Sequence, residues 1–133
     1  MTKTKRMEAF EDKVIGYVRD EKRLLYTFLT EYDTLTDTYE DCVYCMYITK
    51  VYCNFVFTYT WYKEEYVQEV IHKAQRKIEH YKRLVKDVNL YNLLQSTWEM
   101  LMALGMLTYN SMLPLVRDVV QGDRLQRAIP SRI

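Results

Sequence analysis

Glycine and proline are nearly missing from this chain, with three and two occurrences in 133 residues. No glycine lies between Gly16 and Gly105, and both prolines, Pro114 and Pro130, fall beyond residue 110. The middle of the chain therefore lacks the usual turn residues, which argues against sandwiches, barrels and Rossmann-type folds. A phosphate-cradling glycine loop is missing for the same reason. Cysteine is scarce and odd in number, three in all, so no secreted disulfide framework is expected. Disorder is also disfavoured, because 49% hydrophobic residues with 14% aromatics can offset the entropy of ordering.

What remains is an all-α chain. Its length suits a single domain over residues 1–133, one that buries roughly two-thirds of its unfolded surface. The pattern predicts a bundle of about four main helices, a short C-terminal helix and basic terminal arms (residues 1–6 and 122–133). Helix one is expected over Thr4–Thr30, where Met7, Phe10, Val14, Tyr17, Leu24 and Phe28 recur in threes and fours with a break at Glu21. The segment TEYDTLTDT reads as a turn ending in an N-cap at Thr38. Helix two, about Tyr39–Tyr59, is apolar nearly all round with a thin polar stripe at Lys50, Asn54 and Thr58, as in a central core helix or a lipid contact. Helix three carries the clearest seam: Val67, Ile71, Ala74, Ile78, Tyr81, Val85 and Val88. Asp87, Asn89 and Asn92 then suggest a turn, with helix four starting near Asn92 or at a capping box Ser96–Glu99. Gly105 would admit a close helix neighbour, Asn110, Ser111 and Pro114 would break the helix, and SMLPLVRDVVQ would form the short fifth helix.

The net charge of +1 conceals segregation. Residues 31–41 hold Glu31, Asp33, Asp37, Glu40 and Asp41 without a basic residue. Residues 72–86 hold Lys73, Arg76, Lys77, Lys82, Arg83 and Lys86 against Glu79 alone. Lys3, Lys5 and Arg6 near the start, and Arg124, Arg127 and Arg132 in the tail, make both ends basic. These patches suit nucleic-acid phosphates contacted without base reading, through Lys3, Lys5, Arg6, Lys73, Arg76, Lys77, Lys82, Arg83 and Lys86. Pairing of the basic helix with the acidic segment, within one chain or between neighbours, is the alternative.

Catalytic chemistry finds little footing. Cys42 and Cys53 would stand about 16 Å apart along a helix and cannot share a tetrahedral zinc; Cys42, Cys45 and Cys53 are expected to be buried thiols. Glu69-x-x-His72 matches half of a di-iron helix motif, but the only other histidine, His80, sits on the same helix. Ser96, Ser111 and Ser131 have no neighbouring histidine base. No enzyme activity, metal or cofactor is expected. Residues 42–62 and 98–116 approach membrane-span length, yet Lys50, Asn54, Asn110 and Pro114 interrupt them and mean hydropathy is −0.33. Core helices are expected there, with contact to a lipid layer by an assembled particle as the alternative. The N-terminal MTKTKRMEAFEDK has no apolar stretch before a small-residue cleavage site, so an intracellular or particle-bound location is expected. Seven of thirteen tyrosines, from Tyr39 to Tyr66, crowd into 28 residues, and tyrosine suits subunit interfaces.

With its basic segment MTKTKRM, its Lys/Arg-rich helix HKAQRKIEHYKRLVK and its aromatic-packed apolar helices, the chain resembles the major coat proteins of filamentous archaeal viruses. That resemblance is architectural and implies a virion-located structural subunit that packs double-stranded DNA in a filament, alone or with a paralogous subunit. No family residue is carried over. The other expectation, from a different class, is a small cytoplasmic interaction module similar to Bcl-2-like folds that binds a partner helix in an apolar groove. Gly122-Asp123 is its only echo of a BH-type motif.

Overall fold

In a computed structural model, residues 2–59 and 62–109 are described; the expected fifth helix, the breaks at Asn110–Pro114 and the basic tail lie outside them. Among the described residues the elements are all helical: α1 (Lys5–Tyr17), α2 (Glu21–Asp33), α3 (Tyr39–Thr58), α4 (Glu64–Leu84) and α5 (Val88–Tyr109). The all-α bundle expected from the sequence is what the chain adopts.

Helix one is two helices. Asp20 accepts a hydrogen bond from the Arg23 backbone N–H at 3.2 Å, so a second N-cap opens where the apolar spacing slipped. The Val18 carbonyl, orphaned at the end of α1, accepts the Tyr62 hydroxyl at 3.1 Å. The basic N-terminal arm is correspondingly short. Thr4 caps α1 by accepting from Met7 N–H, which places Lys5 and Arg6 in the first helical turn.

α3 begins as expected, with the Thr38 side chain accepting from the Asp41 backbone N–H at 3.1 Å. It is the core of the bundle and packs against α1, α2, α4 and α5. Ile48, Tyr52 and Cys53 are among its fully enclosed residues. Phe28 from α2 meets Phe10 and Tyr52 edge-on, with centroids 4.7 and 4.5 Å away, the geometry in which one ring's positive edge faces another's negative face. Burying a ring of that size contributes roughly 1.5–3 kcal/mol.

The α4 seam buries Val67, Ile71, Ala74, Ile78 and Tyr81 as the spacing demanded. Val88 departs from it and is 71% exposed, because the chain turns after Leu84 and Val88 starts a new helix. α5 starts earlier than the sequence suggested: Asp87 accepts from Leu90 N–H at 2.9 Å and supplies the cap. The presumed capping box at Ser96–Glu99 lies inside α5, where the Thr97 hydroxyl instead donates to the Leu93 carbonyl. Gly105 faces α4, where a β-carbon would sit 3.6 Å from the Ile71 side chain, an ordinary contact distance. No described helix is long and apolar enough to cross a membrane.

Candidate nucleic-acid interface

Helical geometry divides the basic residues of α4 into three sets around its cylinder, because successive residues rotate by about 100°. The first set, Lys73, Lys77 and His80, faces the acidic segment. Lys73 pairs with Asp33 and also reaches the Leu29 carbonyl. Lys77 donates to the Leu35 carbonyl at 3.1 Å, and His80 Nε2 lies 2.7 Å from the Asp37 carboxylate. Tyr81 joins them by donating to the Thr36 carbonyl at 2.6 Å. The pairing of basic helix with acidic turn is thus made within the chain, and it fastens α4 to the α2–α3 connection.

The second set is Lys82 alone, turned toward α5. It donates to Glu79 at 3.3 Å and to Gln95 at 2.6 Å, and its ammonium stands 5.5 Å from the Tyr91 ring centre and 5.6 Å from that of Trp98. Gln95 in turn donates to Glu99 at 3.3 Å.

The third set lies between the other two. Arg76 and Arg83 are exposed and make no ion pair among the described residues. They line a groove of about 820 Å³ between α4 and α5 together with His72, Gln75, Glu79 and Trp98. Lys86, beyond the end of α4, is also exposed and lines a separate cleft with Tyr39, Leu84 and Leu90.

The N-terminal cations go elsewhere. Lys3 pairs with Glu11 at 3.1 Å, whereas Lys5 is exposed and makes no ion pair among the described residues. Arg6 donates to Asp41 at 2.7 Å, lies 3.9 Å from Glu31 and sits 3.7 Å over the Tyr44 ring. Burial of Asp41 works to raise its pKa, but hydrogen bonds from the Thr36 backbone, Arg6 and the Thr36 hydroxyl outweigh it and hold the carboxyl below its ordinary value.

Of the nine cations expected to meet phosphates, Arg76 and Arg83 share one groove, Lys5 and Lys86 stand open apart from it, and Lys3, Arg6, Lys73, Lys77 and Lys82 already hold partners of their own. The sequence did not single out Trp98. Its neighbours in the groove come from α4, more than a dozen residues away, so only the helix pairing brings them together.

Most of the clustered tyrosines turn inward. Tyr44 and Tyr62 are buried with hydroxyls donating to Glu31 and the Val18 carbonyl, Tyr47 donates to Glu11, and Tyr52 is enclosed; only Tyr39 of the seven is largely exposed. Tyr44, Tyr52 and Tyr62 thus serve this chain's own core, whereas Tyr47, Tyr59 and Tyr66 are half-buried. The three cysteines are buried free thiols, and burial raises Cys42 to about 11 and Cys45 to about 12. No cluster of His, Cys, Asp or Glu able to hold a metal ion occurs among the described residues.

Comparisons with protein-family models, curated proteins and solved structures find no match for this chain.

Proposed function

We propose that the chain is a non-enzymatic structural subunit that binds the phosphate backbone of nucleic acid, as a coat or nucleocapsid protein in a virion does. The observation that carries this reading is the Arg76–Arg83 pair. On a helix whose other basic residues are mostly held by this chain's own carboxylates and carbonyls, these two guanidiniums remain exposed in one groove. Unneutralised arginines gain most from a multivalent anion, since counterions released from the polymer drive the association. Contact with further copies, or with a paralogous subunit, is supported by the cleft that Tyr39 and Leu84 line together, where they are 69% and 47% exposed.

A salt titration of binding to a labelled oligonucleotide tests the reading. Two or three phosphate contacts give a slope of log affinity against log salt of about −1.5 to −3, nearly independent of sequence. A flat response, or one unchanged by Arg76→Glu with Arg83→Glu, removes the proposal.

One observation favours the other class. Val88 and Tyr91, and beyond Gln95 and Glu99 also Met102 and Met106, are exposed on one side of α5, apolar surface on which an amphipathic partner helix can dock. Negative-stain microscopy at high concentration, with and without nucleic acid, separates the two: assemblies support the first reading, and dispersed monomers that take up one peptide each support the second.

A further inference from the structure

We infer that the groove between α4 and α5 takes a single-stranded nucleic acid, with a base stacked on Trp98 and flanking phosphates on Arg76 and Arg83. This rests on the phosphate-binding reading above and specifies its ligand.

Four observations converge on it. First, the groove is open and combines one large aromatic with two guanidiniums that make no ion pair among the described residues, the pairing of surfaces that a single strand presents in reverse. Second, the indole is held in place. Trp98 packs against the bundle core while lining the groove, and Lys82 stands 5.6 Å from its ring centre. Lys82 is itself fixed by Glu79 and Gln95, with only 13% of its side chain exposed. A pre-positioned ring loses little freedom when a base stacks on it. Third, among the described residues Glu79 is the one carboxylate lining the groove, and its pairing with Lys82 offsets the repulsion it would exert on phosphate. Fourth, Arg76 and Arg83 are seven residues apart on α4, about 10.5 Å along the axis, so they contact separate phosphates rather than one. Gln75 and His72 add side chains able to hydrogen-bond a base edge without fixing its identity.

The aromatic residue is what discriminates between strand forms. Bases in a duplex are already stacked on each other and offer no face to an indole, whereas splayed bases do. Trp98 therefore adds nothing to duplex binding and much to strand binding.

The test measures affinities of wild type, Trp98→Ala, Trp98→Phe and Arg76→Glu/Arg83→Glu for a labelled 15-nucleotide thymidine strand, the matching duplex and thymidine monophosphate. Circular dichroism melting checks each fold, and Trp98→Leu, which keeps apolar packing, replaces the alanine variant if that one unfolds. The expected result is tighter binding of strand than of duplex, with Trp98→Ala losing about 5- to 100-fold on the strand alone. Trp98→Phe retains most of the affinity. Strand affinity unchanged in the alanine variant, or in the leucine variant where it replaces it, overturns the stacking inference while leaving phosphate binding intact. Binding of neither strand nor duplex by wild type overturns both readings. Monophosphate bound as tightly as the strand also overturns the inference, since a single nucleotide cannot span both arginines.

Discussion

Arg6, in the first turn of α1, donates to Asp41, in the first turn of α3, at 2.7 Å. The same carboxylate accepts from the Thr36 backbone N–H at 2.7 Å and from its hydroxyl at 3.0 Å. One side chain therefore pins three parts of the chain: the start of α1, the α2–α3 connection and the start of α3. As an acid at a helix N-terminus it also complements the positive end of the α3 dipole.

That arrangement sets an acid limit on stability. The folded-state pKa of Asp41 lies below its ordinary value of 3.8, so its stabilisation is complete above that pH and is lost as pH falls from there through the folded value. Asp41→Asn should cost about 1.5–3 kcal/mol at pH 7 and flatten the acid limb. Urea midpoints measured from pH 7 to pH 2 check this; an undiminished acid limb in the variant would assign it to other carboxylates.

The first and third sets of cations on α4 should respond differently to charge reversal. Lys73→Glu with Lys77→Glu places like charges against Asp33 and removes a hydrogen bond to the Leu35 carbonyl, so the melting temperature should fall by several degrees. Arg76→Glu with Arg83→Glu should leave the stability within about 0.5 kcal/mol of wild type and the melting temperature almost unchanged, as substitutions at exposed positions do. Thermal melts of the two double variants decide it, and equal losses would contradict the division.

The thiols should be silent until the bundle opens. Burial raises Cys42 to about 11, Cys45 to about 12 and Cys53 further still, leaving little thiolate at neutral pH in sites that are closed to reagent. Ellman's reagent should find no fast-reacting thiol in the native chain and all three in urea. A single rapid thiol in native buffer would count against the packing of α3.

Two buried tyrosines should behave oppositely when the hydroxyl is removed. The Tyr32 hydroxyl shares a hydrogen bond with Thr49 at 3.1 Å, so Tyr32→Phe should cost about 0.5–1.5 kcal/mol. Tyr52 is 1% exposed and its hydroxyl makes no hydrogen bond among the described residues. Tyr52→Phe should therefore be neutral or stabilising, which chemical denaturation can measure directly.

Much of this architecture is legible from local chemistry. Thr38 caps α3 because a hydroxyl followed three residues later by a free backbone N–H forms the same cap in any context. The α4 seam is equally readable, since its period leaves one face to bury. The split after Tyr17 was written in Asp20 and the slip at Glu21, but a slip in spacing is weaker than a proline and permits one helix or two. At Asp87 the competing candidates Asn92 and Ser96 have the same capping chemistry, and only packing of Leu90 and Leu94 into the core chooses among them.

The sequence by itself determined the class of fold, the helix seams and the separation of acidic from basic segments, because each depends on residue type and spacing along a helix. Only the tertiary structure decided which cations remain available. Lys73 and Arg76 look alike in the chain, yet three residues of helical rotation turn one toward Asp33 and leave the other in an open groove beside Trp98. Charge is a property of residues, but its neutralisation is a property of neighbours, and those come from α2 and α5 once the bundle has formed.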